Sequence, residues 1–126
     1  MRIWVIDDDQ AICNLLRIML SARGHEVATF SDPTATPVLC DDGTPCAADV
    51  MLIDYFMPNM NGLEFLKVLD ARGCRGARAI ITAHYSPELG RELAGMGVAC
   101  FRKPFRWGDV VGWLDDCAQK TATVSP

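Results

Sequence analysis

Apolar residues along the chain fall into two alternating rhythms. The short unbroken runs Ile3-Trp4-Val5-Ile6 and Val50-Met51-Leu52-Ile53 lack the polar alternate positions of a strand with one wet face. Such runs predict strands buried on both sides, as in the middle of a parallel sheet. Between them Ile12, Leu15, Leu16, Met19 and Leu20 recur at helical spacing. Asp8 or Asp9 can cap that helix, and Gly24 can close it in the left-handed conformation. His25 to Phe30 alternates, which predicts a second strand near a sheet edge. Ser31-Asp32-Pro33 starts another helix, Pro37 limits its length, and Asp41 to Pro45 reads as a loop.

After the central run, Met57-Pro58 and Asn61-Gly62 are turn chemistry. A helix from Gly62 to about Arg72 follows, with Phe65, Leu66 and Leu69 inward, and Gly73 and Gly76 break it. Ala77 to Ile81 is a fourth strand ending at Thr82. Ser86-Pro87-Glu88 is a helix start, and Leu89, Leu93 and Met96 form its apolar stripe. Val98 to Phe101 is a short fifth strand, followed by Arg102-Lys103-Pro104-Phe105. A last helix from about Trp107 to Gln119 turns Val110, Leu114, Cys117 and Ala118 to one side. Residues 1–120 form one folded unit on this reading, and Thr121 to Pro126 is a flexible tail. Five alternations of strand and helix predict a parallel sheet covered on both faces, with right-handed crossovers.

A chain of 126 residues suffices for one domain with a real core. Its net charge of −4, with lysine only at 67, 103 and 120, argues against a nucleic-acid surface, which needs clustered cations. The N-terminal apolar run is too short for a signal peptide, and no stretch has the length of a membrane span, so a cytoplasmic location is expected. Cysteines at 13, 40, 46, 74, 100 and 117 make no Cys-x-x-Cys pair and have no histidine at ligand spacing. Reduced thiols are expected, with Cys13, Cys100 and Cys117 inside apolar segments. Cys40 and Cys46 could meet across the Asp41–Pro45 loop. His25 and His84 are too isolated to indicate a metal.

Four strands end in polar residues: Asp7 and Asp8, Asp54, Thr82, and Lys103. Taken singly, each has a plain structural explanation as a helix cap, a turn start, a strand end or a surface cation. In a parallel sheet, however, all four ends open on one edge, where open α/β sheets hold their ligands. Adjacent carboxylates repel one another and favour a hard divalent cation with oxygen ligands, of which Mg²⁺ fits best.

The set Val5-Ile6-Asp7-Asp8-Asp9, Asp54-Tyr55-Phe56-Met57-Pro58-Asn59-Met60-Asn61-Gly62, Ile81-Thr82-Ala83 and Arg102-Lys103-Pro104-Phe105 resembles the receiver domain of bacterial two-component response regulators. The resemblance covers residues 2 to about 120. It implies a flavodoxin-like three-layer sandwich, with a five-stranded parallel sheet in order 2-1-3-4-5 and five helices. It also implies that Asp54 accepts a phosphoryl group from a sensor histidine kinase or a histidine phosphotransfer protein. Asp8, Asp54 and the Phe56 backbone carbonyl would bind Mg²⁺, with Asp7 acting mainly through water. Thr82 and Lys103 would contact the phosphoryl oxygens, and Pro104 resembles the family's cis proline, aiming Lys103 inward. A downstream protein would dock on the fourth helix, fifth strand and fifth helix, where Trp107 and Trp113 are candidates for contact. Dimerisation on phosphorylation is a further expectation, whereas direct nucleic-acid contact is not expected.

The chain departs from the family in places. Counting back from Lys103-Pro104 puts the usual aromatic switch position at Cys100. A one-residue shift puts it at Phe101, on the opposite side of the strand. Phe56 and His84 stand two residues after Asp54 and Thr82, at positions whose side chains, by the resemblance, would flank the path of a hydrolytic water. Bulky Phe56 is expected to slow loss of the phosphoryl group, an effect His84 could oppose by orienting a water. An aspartyl phosphatase would need a second carboxylate at position 56 for acid–base work, so slow self-catalysed turnover at most is expected, not an enzyme. A phosphorylation-independent interaction module usually loses one of the key residues, and all are present. A receiver cut from a longer regulator is a third reading.

Overall fold

The computed structural model describes residues 1–40 and 48–124, with side chains for all but Cys40 and residues 120–124. The strands are β1 (Arg2–Ile6), β2 (Glu26–Phe30), β3 (Val50–Asp54), β4 (Ala77–Thr82) and β5 (Ala99–Arg102). The helices are α1 (Gln10–Ala22), α2 (Pro37–Cys40), α3 (Gly62–Ala71), α4 (Pro87–Gly95) and α5 (Trp107–Val124). All strand pairs are parallel and the order is β2-β1-β3-β4-β5, the flavodoxin-like arrangement. β1 and β3 therefore lie inside the sheet, which is why their apolar runs are unbroken.

Alternation along the strands divides the core in two. Trp4, Ile6, Met51, Ile53 and Ile80 face α3 and α4, where Phe65, Leu66, Leu69, Leu89 and Leu93 meet them. Ile3, Val5, Val50, Leu52, Ala79 and Ile81 face α1 and α5, packing on Cys13, Leu16, Leu20, Val110, Leu114 and Cys117. Each fully buried large aliphatic or aromatic side chain stabilises the fold by about 1.5–3 kcal/mol. Burying both faces fixes which residues point which way, and hence which carry the strand ends to the site.

Local signals set the helix bounds. Asp9 is the cap of α1 and accepts from Ala11 N and Ile12 N. Gly24, at φ 89°, donates to Ser21 O and closes that helix as expected. Asn61 and Glu64 form a reciprocal capping box at α3, and Ser86 with Pro87 opens α4.

Three expectations change. The helix expected from Pro33 is a 3-10 turn, Pro33–Ala35, followed by the short α2. Thr36 precedes Pro37, whose ring disfavours helical backbone at the residue before it, and Thr36 is extended at ψ 150°. α5 continues beyond Gln119 to Val124, because no glycine or proline interrupts residues 119–124. The expected tail from Thr121 is thus helical as far as Val124, and Ser125 and Pro126 lie outside the described residues. Leu15 is not on the inward stripe of α1 but 49% exposed, because Cys13, Leu16 and Leu20 fill that face. The Asp41–Pro45 loop and Cys46 also lie outside the described residues.

Candidate functional site

The site follows from the register of a parallel sheet. Asp54 ends β3 opposite Ile81, and Thr82 ends β4 opposite Arg102. Asp7 follows β1 and is still held to the sheet edge, with its N–H donating to Phe30 O. Lys103 follows β5, and its N–H donates to Thr82 O at 2.8 Å. Asp7, Asp54 and Thr82 are all buried, polar groups gathered where the apolar runs stop. The Lys103 ammonium lies 3.1 Å from Asp7 Oδ2 and 3.3 Å from Asp54 Oδ1. Asp7 Oδ1 accepts from Asp9 N at 2.9 Å, which orients the carboxylate.

Asp7, Asp8 and the Asp54 carboxylate each offer an oxygen, all within 4.8 Å of one another. Three carboxylates face one ammonium, so negative charge is in excess. Burial, and next the Asp7 carboxylate, push the Asp54 carboxyl up to about 6, against the lowering pull of Lys103. Burial works against the Lys103 ammonium, but Asp7 and Asp54 outweigh it and hold its pKa above the ordinary value. An all-oxygen donor set with uncompensated charge fits a hard divalent cation such as Mg²⁺.

The loop after β3 folds tightly back on the strand end. Gly62 N donates to Tyr55 O at 2.8 Å, and Asn59 takes a left-handed φ of 73°. A Cβ at Gly62 would stand 2.8 Å from Ile80 Cδ1, 3.0 Å from Asp54 O and 3.1 Å from Tyr55 Cα. Glycine is therefore required there by close approach. Asn59 also donates to Asp32, joining this loop to the one after β2.

Phe56 is 54% exposed and meets His84 edge to face, with ring centroids 5.2 Å apart. The two residues that the sequence places beside Asp54 and Thr82 thus touch across the mouth of the site. His84 N donates to Thr82 Oγ1 at 3.0 Å, so the Thr82 hydroxyl keeps its own proton to donate elsewhere. The Lys103–Pro104 peptide bond is cis. Cys100 pairs in register with Ile80 and packs on the α3/α4 side, where burial raises its thiol pKa. Phe101 pairs with Ile81 on the α1/α5 side, 5.9 Å from the Trp113 ring. The two candidates for the switch position therefore lie on opposite faces, and only Cys100 shares the face of α4.

Sequence reasoning missed Tyr85, whose ring lies under the Arg102 guanidinium, and the Asp32–Asn59 link. The proximity of Tyr85 to Thr82 was readable from the chain, but neither partner was.

The family model for the response regulator receiver domain matches residues 3–113. The transcriptional regulatory protein FixJ of Azorhizobium caulinodans is 36% identical over 102 residues, covering 80% of this chain and 47% of FixJ. The DNA-binding response regulator MtrA of Mycolicibacterium paratuberculosis is 34% identical over 70 residues, covering 56% of this chain and 30% of MtrA. The chain spans about half the length, or less, of these curated relatives. Among solved structures, the receiver domain of the Francisella response regulator 1452 gives a TM-score of 0.84 at 23% identity, covering 95% of this chain and 98% of that one. The Vibrio cholerae chemotaxis protein CheY4 gives 0.76 at 25% identity, covering 92% and 97%. The names of FixJ and MtrA describe regulators of transcription or DNA binding, so the expectation of no nucleic-acid contact gains no support. Among the described residues, no helix is long and apolar enough to cross a membrane.

Proposed function

The chain belongs to the response regulator receiver domain family of two-component signalling, and from that premise we propose that it is a phosphoacceptor switch modified on Asp54. One observation carries the reading: a single lysine ammonium reaches both Asp7 and Asp54, beside the third carboxylate of Asp8, at one edge of the sheet. That arrangement gathers counter-charge where phosphoryl oxygens arrive. Phosphoryl transfer depends on positioning and electrostatic stabilisation more than on covalent help.

In the proposed reaction an Asp54 oxygen attacks the phosphorus of a phosphohistidine on a sensor histidine kinase or phosphotransfer protein. The P–N bond breaks, its electron pair returns to the imidazole, and an acyl phosphate forms on Asp54. Asp54 must be ionised to attack, which its carboxyl, raised to about 6, allows at neutral pH. Lys103 turns from its carboxylate partners to a phosphoryl oxygen, and the Thr82 hydroxyl donates to another. Mg²⁺, when bound by Asp8, Asp54, the Phe56 carbonyl and Asp7, supplies further positive charge on those oxygens. Phe56, in contact with His84 at the mouth, limits entry of water, and His84 opposes this only to the extent that it orients one. A turnover phosphatase would need a carboxylate at position 56, and the half-exposed ring there supports a signalling role instead.

On this reading residues 1–120 are the receiver and act in the cytoplasm. A downstream protein is met through α4, β5 and α5, where Trp107 and Trp113 are half-buried, and a phosphorylation-dependent dimer would use the same face. The test is labelling with acetyl phosphate and Mg²⁺. Asp54→Asn is expected to abolish labelling while circular dichroism stays unchanged; label persisting on another residue refutes the assignment.

A further inference from the structure

Three elements meet on the ring of Tyr85, a residue that the phosphoacceptor reading leaves without a role. It lies in the turn between β4 and α4, three residues beyond Thr82. One side of the ring presses on α4 at Gly90. A Cβ built there would collide with Tyr85 Oη and stand 2.9 Å from Cζ. Glycine inside a helix costs about 1 kcal/mol relative to alanine, and room for this ring is what Gly90 provides. Over the ring, the Arg102 guanidinium carbon lies 4.2 Å from its centroid, a cation–π distance.

The same turn is tied to the site. His84, next to Tyr85, donates its N–H to Thr82 Oγ1 at 3.0 Å. Arg102 immediately precedes Lys103, whose N–H is bonded to Thr82 O. The ring is thus joined by short covalent paths to the two residues that would face a phosphoryl group, and it touches both α4 at Gly90 and Arg102 at the end of β5. Cys100, half-buried on the α4 side of β5, has no ring to fill that role.

We propose that Tyr85 is a positioning residue that carries occupancy of Asp54 to the α4–β5 surface, its ring seated between Gly90 and Arg102. The proposal rests on the phosphoacceptor reading. If Thr82 shifts toward an occupied Asp54, the turn draws on Tyr85, and movement of its half-exposed ring changes its contact with Gly90 of α4 and with the exposed Arg102 side chain. On this proposal the seat is the element that both ends of the route bias, as coupling requires.

Backbone amide NMR of the chain, titrated with magnesium and beryllofluoride, separates the possible failures. In the wild type, signals of Thr82 and Lys103 are expected to shift together with those of Leu93, Met96 and Arg102. No shift at Thr82 and Lys103 removes the phosphoacceptor reading, and this proposal with it. Tyr85→Ala is expected to keep the shifts at Thr82 and Lys103, while those at Leu93 and Met96 fall to about half or less. Gly90→Ala, which evicts the ring from the other side while favouring the helix, should act alike, and it decides the matter if Tyr85→Ala does not fold. Tyr85→Phe keeps the ring and should restore the wild-type response, which a loss of general packing would not predict. Full shifts at Leu93 and Met96 in both Tyr85→Ala and Gly90→Ala overturn the proposal.

Discussion

Asp54 sits where its charge is least welcome, buried and beside a second carboxylate, and its carboxyl is raised from 3.8 to about 6. The folded state therefore binds this proton more tightly than the unfolded chain does. For this group, stability is greatest below pH 3.8, falls as pH rises through about 6, and is flat above. Asp54→Asn removes that loss, so the metal-free variant should be more stable than wild type at pH 7.5 by about 1–3 kcal/mol. Urea unfolding with a chelator present, at pH 4.5 and pH 7.5, checks this; an equal difference at both pH values contradicts it. Phe56 makes a second prediction at this scale. Its ring closes on His84 without offering a group that could orient water. Phe56→Asn should shorten the phosphoryl half-life severalfold, measured by release of labelled phosphate, and a longer half-life sinks the idea. The site residues at strand ends were legible because a carboxylate or lysine that interrupts an apolar run has few places to go. Tyr85 was not legible, because its partners come from a helix glycine and a strand end that only the fold brings together.

At the scale of elements, the start of α3 separates support from fit. Asn61 caps the helix through Glu64 N, and Asn61→Ala should cost about 1 kcal/mol, leaving the carboxylates in place. Gly62→Ala puts a methyl against Ile80 Cδ1, Asp54 O and Tyr55 Cα. It should cost about 1–3 kcal/mol and also weaken magnesium binding, since the backbone of Asp54 must yield. Urea unfolding and calorimetric titration of both variants provide the comparison, and equal magnesium affinities would count against the proposed role of this loop. Most helix starts were readable from caps and prolines, as at Asp9 and Ser86. The helix expected from Pro33 divides because Pro37 acts backward on Thr36, leaving a 3-10 turn and a short helix. The last helix outruns the apolar pattern that marks it in the sequence, because no glycine or proline stops the backbone before Val124.

For the whole molecule, a parallel sheet with a two-sided core was legible from alternation, whereas the strand order 2-1-3-4-5 came only with the resemblance to receiver domains. What alternation could not supply is how loops from different strands meet, as Asn59 and Asp32 do. The collective charge of the site makes a prediction at this scale. Magnesium should raise the unfolding temperature of the wild type by mass action, and its affinity should fall as pH drops through the carboxylate range. Asp8→Ala should reduce the affinity at least tenfold, about 1.4 kcal/mol, by calorimetry. An unchanged affinity would contradict the proposed ligand set.

The Lys103 side chain shared by Asp7 and Asp54 is only 21% exposed, with partners at 2% and 8%, so monovalent salt screens these pairs less than it screens pairs on the surface. A new anion arriving there exchanges one neighbour of the lysine for another within a sheltered cluster. The balance between the unmodified and modified forms should then vary little with ionic strength, unlike a balance built on surface pairs. A signal written in this way keeps the same meaning in dilute and in concentrated surroundings.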